Sequence, residues 1–196
     1  MRQFKTEKRL NKIISTLKAR QRSLRVVIEN VHDPHNVSAI FRTCDAVGVP
    51  KVTLLYTIES FPKISRISSS SANKWIERER FSDTKECFDS LRQEGFKIYS
   101  TILDEKAVSV YDIDFTEKIA IVMGNEKRGV SEEAAKLSDR TIYIPMRGMI
   151  QSFNVSVAAA VVLYEAQRQR AEKGMYEKSE LQEDELEKKI DEWCGK

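Results

Sequence analysis

Residues 144–169 read IPMRGMIQSFNVSVAAAVVLYEAQRQ, and the reading of this stretch decides how the chain is built. A β-rich run ending at Met146 breaks at Arg147-Gly148. Ser152-Phe153-Asn154 then precedes a long helix made largely of Val and Ala. A helix of that composition is a core helix, and one small polar residue is enough to cap it. The loop in front of it carries more than a cap requires. Met146, Met149 and Gln151 make a soft, adaptable wall with polar groups beside it. The segment therefore reads as a ligand loop feeding a core helix. Two further segments, 29–48 and 121–133, repeat the succession of apolar run, polar loop and helix, so three such loops point to one composite site.

Working outward, residues 24–170 alternate short β-rich runs with helical stretches. Strands are expected at Arg25–Glu29, Lys51–Tyr56, Lys97–Thr101, Lys118–Met123 and Thr141–Ile144. Helices are expected at Ser38–Ala46, Thr84–Glu94, Ser131–Leu137 and Val155–Arg170. Continuous apolar strands such as IAIVM, interleaved with helices, predict an α/β fold with a mostly parallel sheet covered on both faces. Residues 64–75 are polar and read as a mobile loop. A short amphipathic helix is expected at Glu183–Trp193. The organisation is thus a basic helical extension (1–23), a central domain (24–170) and a C-terminal helical extension (171–196). Ligands of open α/β sheets sit at the carboxyl ends of the strands, which is where all three polar loops fall. No GxGxxG, GxxxxGK[ST] or GxSxG occurs, which argues against a dinucleotide site, a P-loop and a hydrolase elbow.

Composition narrows the class of function. No apolar run approaches the roughly 20 residues of a membrane span, and no apolar signal core follows the basic start. Cys44, Cys87 and Cys194 are odd in number and lack CxxC spacing, and His32 and His35 have no further ligands near them. Neither disulfides nor a metal are expected, and a reduced, cytoplasmic location is. The formal net charge of +3 conceals an asymmetry. Residues 1–25 hold nine Lys/Arg against the single acid Glu7, whereas residues 171–196 hold five Lys against nine acids. Leu10, Ile13, Ile14 and Leu17 recur at helical spacing inside the basic segment, so one face can dock while Lys8, Arg9 and Lys12 stay free for a polyanion.

Each loop residue has an ordinary role beside a functional one. Asn36 is placed to cap a helix starting near Val37, and Ser152 and Asn154 compete for the cap of the last helix. Glu126, within Gly-Asn-Glu-Lys-Arg-Gly, serves as a turn acid or as a site residue. Arg42 follows Ala39, Ile40 and Phe41, which bury most of that helix, and this favours a functional role for the one charge on it.

The joint occurrence is what carries weight. NVHDPHNVSAIFRTCDAVG (30–48), MGNEKRGVSEE (123–133) and IPMRGMIQSFNVSVA (144–158) resemble, in order, the three signature motifs of the SPOUT superfamily of RNA 2′-O-ribose methyltransferases, in its TrmH-type branch. The likeness spans nearly the whole chain. One departure is Phe153, where the family more often has leucine. The resemblance implies a C-terminal deep trefoil knot, a rare exception to the rule against threaded loops. It implies a homodimer whose site draws on both subunits, with the helix after Asn154 in the interface. It implies S-adenosylmethionine as methyl donor, held largely by main chain at Thr101, Gly124, Ile144, Met146 and Phe153, without metal.

By the same resemblance, the reaction is 2′-O-methylation of a tRNA ribose, the D-loop guanosine at tRNA position 18. Arg42 would act on the ribose hydroxyl, supported by Asn36, Glu126, Ser152 and Asn154. A guanidinium with a pKa above about 12 is a poor literal base, so stabilising the developing alkoxide is the better description of its part. Lys8, Arg9, Lys12, His35 and Arg168 would hold the tRNA backbone. Three alternatives share the fold: methylation of the tRNA wobble ribose, methylation of ribosomal RNA, and non-catalytic RNA binding. The basic segment 1–25 argues against the first and is too short for the separate RNA-binding domain usual in the second. The presence of Arg42, Ser152 and Asn154 argues against the third.

Overall fold

The structure is a computed structural model describing residues 2–62 and 72–196. Seven parallel strands form one sheet in the order β3-β2-β1-β6-β4-β7-β5. They are β1 (Leu24–Glu29), β2 (Lys51–Leu55), β3 (Glu77–Phe81), β4 (Lys97–Thr101), β5 (Val108–Ser109), β6 (Ile119–Met123) and β7 (Arg140–Tyr143). The helices are α1 (Glu7–Lys18), α2 (Pro34–Ala46), α3 (Thr84–Gln93), α4 (Glu132–Leu137), α5 (Val155–Glu172) and α6 (Glu183–Gly195).

The central strands are apolar on both sides because both faces are covered. On β1, Leu24, Val26 and Ile28 point into the core beneath α2 and α5, while Val27 points to the α3 and α4 side. β6 divides in the same way: Ile119, Ile121 and Met123 against one helix layer, Ala120 and Val122 against the other. The period of two thus builds two cores from one run of sequence.

Strand order sets the position of the site. The chain lays β1, β2 and β3 outward in one direction, crosses to β4, and later inserts β6 between β1 and β4. A reversal of that kind opens a crevice above the carboxyl ends of the strands, here over neighbouring β6, β4 and β7.

At the opposite end of the sheet, α1 and α6 pack together through Ile13, Leu17, Leu186, Ile190 and Trp193. Acids of α6 and its approach meet cations of the N-terminal segment: Arg2 pairs with Glu187 and Asp191, and Arg22 with Glu185. Arg20 is buried against Asp45 and the Val49 and Trp75 carbonyls, and Arg25 lies between Glu79 and Glu94. The end of α5 is fixed by the fully buried Arg170. Its guanidinium donates to the Phe115, Glu117 and Ser23 carbonyls, Ser23 Oγ and Gln21 Oε1 at 2.7–3.2 Å.

Several sequence expectations need correction. β3, sequence ERERF, is a charged edge strand that carries no apolar run and so gives no period-two core signal. β5 is only two residues long. β7 begins at Arg140 and ends at Tyr143, releasing Ile144 into the loop. α2 starts at Pro34, four residues before the expected Ser38, because Asp33 is its cap and proline suits the first helical position. Of the loop expected at 64–75, residues 64–71 lie outside the described residues. Ala72–Lys74 form a 3₁₀ turn, and Trp75 packs against Trp193 with ring centroids 4.8 Å apart.

Candidate active site

A cleft of about 320 Å³ lies over the carboxyl ends of β4, β6 and β7. The third loop closes it. Its floor is apolar: Met123, Ile142, Val155, Ala158 and Val162. Its rim is formed by the turns at 101–103, 124–129 and 142–146 and by Gln151, Ser152 and Phe153. Thr101, Gly124, Ile144, Met146 and Phe153, expected to hold a cofactor, all line this cleft. Met149, expected in the same wall, instead points fully into solvent. Gly124 is required by its turn, since a Cβ there would stand 2.2 Å from the Val130 nitrogen.

The three loops are tied by a chain of hydrogen bonds. Glu126 accepts from the Asp33 nitrogen (3.0 Å), the His32 nitrogen (3.1 Å) and Asn36 Nδ2 (3.0 Å). Asn36 Oδ1 in turn accepts from Asn154 Nδ2 at 3.0 Å. Asn154 Oδ1 accepts from the Ser156 nitrogen and hydroxyl, capping α5. Partial burial pushes the Glu126 carboxyl up, but the Asn36 amide and the two backbone donors outweigh it, leaving its pKa below the ordinary carboxylate value. Glu126 is therefore a fixed anion that clamps the first loop to the second.

The cap assignments sort accordingly. Asp33, not Asn36, caps α2 by accepting from the His35 nitrogen at 2.8 Å. That leaves the buried Asn36 side chain to join Glu126 to Asn154. Asn154, not Ser152, caps α5. Ser152 is exposed at the cleft rim and makes no hydrogen bond among the described residues.

Arg42 lies on the solvent side of α2, seven residues after the equally exposed His35, and neither lines the cleft. Arg42 has no ion pair or hydrogen bond among the described residues, so its guanidinium is available to a ligand. Lys8, Arg9 and Lys12 are exposed on α1, at the other end of the sheet from the cleft. The Arg9 guanidinium lies 5.3 Å from the centre of the Trp75 ring. Arg168 is exposed on α5 but shared between Glu165 and Glu172 at 2.8 and 2.6 Å.

Sequence reasoning passed over two asparagines. Asn125 donates to the Asn30 carbonyl at 2.7 Å and accepts from the Lys127 and Arg128 nitrogens, which shapes the turn of the second loop. Asn30 is the only non-glycine residue at positive φ (50°) among those described. The usable signal was an Asn directly after an apolar strand, since Asn tolerates the left-handed region better than most residues. Glu29 was also missed: its buried carboxylate accepts from the Ser131 nitrogen at the start of α4.

The chain is similar to known proteins along nearly its whole length. Residues 23–164 match the model of the SpoU rRNA Methylase family. A tRNA (guanosine(18)-2′-O)-methyltransferase of Thermus thermophilus is 45% identical over 98% of this chain and 98% of its own length. The crystal structure of the A. aeolicus TrmH/SpoU tRNA modifying enzyme superposes with a TM-score of 0.89, at 41% identity over 96% of each chain. The SpoU methyltransferase AviRb from Streptomyces viridochromogenes, solved in complex with the cofactor AdoMet, gives a TM-score of 0.70 at 28% identity, covering 80% of this chain and 64% of its own.

Proposed function

Because the chain belongs to the SpoU rRNA Methylase family, we propose that it is an S-adenosylmethionine-dependent tRNA 2′-O-methyltransferase acting on the D-loop guanosine at tRNA position 18. The observation that carries the reading is the cleft itself. Its size falls in the range usual for small-ligand sites, about 300–1,000 Å³. Its apolar floor suits an adenosine. Lys127 on the cleft rim complements a carboxylate. Near-full-length likeness to the Thermus enzyme supports tRNA as the substrate over ribosomal RNA or a wobble ribose.

The methyl donor would lie against Thr101, Gly124, Ile144, Met146 and Phe153. When bound, it supplies an electrophilic methyl group on a sulfonium. The chain has then to align a ribose hydroxyl and stabilise the charge that develops on it. Arg42, unpaired and exposed, is assigned that charge. Asn36, Glu126 and Asn154 hold the loops that flank it, and Ser152 stands free at the rim to meet the ribose. Residues 1–23 act as an accessory RNA unit on the 24–170 domain, braced by the 171–196 extension, with Lys8, Arg9 and Lys12 facing phosphates at that end of the sheet and His35 facing them at the loop end. Arg168 joins them only by giving up a carboxylate partner.

Two further features belong to this reading. The C-terminal segment, with the third loop and α5, forms the trefoil knot that the family resemblance implies. The protein works in the cytoplasm as a homodimer, and the dimer is supported by an apolar stripe exposed around α5: Ile150 62%, Val157 45%, Tyr164 55% and Phe153 39% exposed. Such a stripe calls for a covering surface, and a second copy supplies one. The test is methylation of a tRNA transcript pool with labelled S-adenosylmethionine, followed by mapping of the modified ribose. Label at the D-loop guanosine is expected. Label on the wobble ribose or only on ribosomal RNA, or none at all, overturns the assignment.

A further inference from the structure

We propose that Asn30 is a positioning residue for methyl transfer, acting through Glu59 to keep Arg128 away from the Glu126 clamp. The inference rests on the reading of the cleft as the methyl-donor site. Asn30 stands at the carboxyl end of the central strand β1, buried, and every polar group it has is engaged. Its nitrogen donates to the Leu55 carbonyl and its own carbonyl accepts from Asn125 Nδ2. Its Nδ2 donates to Thr57 Oγ1 at 3.0 Å. Its Oδ1 accepts from three successive nitrogens, those of Thr57, Ile58 and Glu59, at 3.0, 3.0 and 3.1 Å. Three consecutive N–H groups converging on one point form a nest of the kind that usually takes an anion. Here an amide oxygen fills it, and the chain after β2 is wound around the Asn30 side chain.

That winding places Glu59. One of its oxygens accepts from Arg128 Nη2 at 2.8 Å and the other lies 3.5 Å from His32 Nδ1. The Arg128 hydrogen bond holds the Glu59 carboxyl below the ordinary carboxylate range. Arg128 lines the cleft and sits two residues from Glu126 on the same turn. A guanidinium pairs with the best-placed carboxylate. Without Glu59, the nearest acid on its own turn is Glu126, whose oxygens are committed to the His32 and Asp33 nitrogens and to Asn36. Pairing there would loosen the first loop, and with it the start of α2, which carries Arg42. Of the residues set against the methyl donor, Thr101, Ile144, Met146 and Phe153 lie off this turn, and Gly124 meets the donor through main chain alone.

Substitution at Asn30 separates this role from mere support. Asn30→Gly keeps the positive φ and the main-chain bond from Asn125 but empties the nest, and Asn30→Asp keeps an oxygen in it. Wild-type S-adenosylmethionine binding and transfer, measured first, test the preceding reading; the ratios between variants test this one. We expect Asn30→Gly to lower kcat on tRNA about tenfold at an S-adenosylmethionine Kd within about twofold of wild type, because only transition-state positioning is lost. Asn30→Asp should restore most of that rate. Glu59→Gln alone should reproduce the loss, so the test stands even where Asn30→Gly folds poorly. Adding Asn30→Gly to Glu59→Gln should cost less than about twofold more, since residues acting in one chain are not additive. A wild-type rate in Glu59→Gln, or a full tenfold further loss in the double variant, overturns the proposal.

Discussion

Two arginines on two packed helices have opposite fates. Arg42 stands exposed and unpaired on the solvent side of α2. Arg170, at the end of α5, is wholly buried and makes hydrogen bonds to four residues. Burial depresses its pKa, yet those carbonyl and hydroxyl partners replace the water it has lost. The loop end and the far end differ in the same way throughout. Around the cleft, Glu126, Asn36 and Asn154 satisfy one another and leave Ser152 without a partner among the described residues, while Arg42 is free farther along α2. At the far end, Arg2, Arg20, Arg22 and Arg25 are taken up by acids of the chain itself. A charge left unpaired beside a self-satisfied network is available to a ligand; a charge already paired serves the fold. The raw excess of cations in residues 1–25 therefore overstates the surface open to RNA, and the cations without a carboxylate partner among the described residues are Lys5, Lys8, Arg9, Lys12 and Lys18.

The sharpest way to break this contrast is Arg42→Ala. Losing a donor aimed at a developing oxyanion costs on the order of 10²–10³ in kcat, and turnover at saturating tRNA should fall by that much. S-adenosylmethionine affinity and melting temperature should stay at wild-type values. Retention of more than about a tenth of the wild-type rate would remove Arg42 from the chemistry.

Arg170→Ala should do the reverse. It leaves carbonyls and hydroxyls in the interior without partners and opens a cavity, so a loss of about 3 kcal/mol or more in unfolding free energy is expected. Denaturant titration measures it. A loss below about 1 kcal/mol would mean that water substitutes freely for the guanidinium and that the far end is not locked as described.

The smallest effect sharpens the division of labour on α1. Deleting residues 1–22 would strip Ile13 and Leu17 from α6 as well as removing cations, and so would confound grip with stability. Charge reversal at Lys8, Arg9 and Lys12 spares that seam. If the three touch phosphates, the salt slope of log affinity for tRNA should fall by roughly two to three, at about 0.7–0.9 per contact. Unchanged tRNA binding at two salt concentrations would make α1 a strut for α6 only.

Much of the plan was legible in the residues alone. Strands such as IAIVM are apolar without interruption because a parallel sheet is covered on both faces, so five of the seven strands, the helices between them and the three loops at one end could be read in order. The core helix after Asn154 and the composite character of the site followed from the same patterns, and the motif wording pointed to the family. Tertiary structure decided the rest. The edge strand ERERF has no buried face to imprint a pattern. Asn36 reads locally as a cap, and only the approach of Glu126, 90 residues away, turns it into a bridge. Asn30 reads as an ordinary turn residue until the chain after β2 wraps its side chain. Whether an arginine is free or paired depends on acids far off in sequence, as with Arg2 and Asp191 or Arg22 and Glu185. Periodicity records which way a side chain points; which partner waits there is settled only when the chain closes on itself.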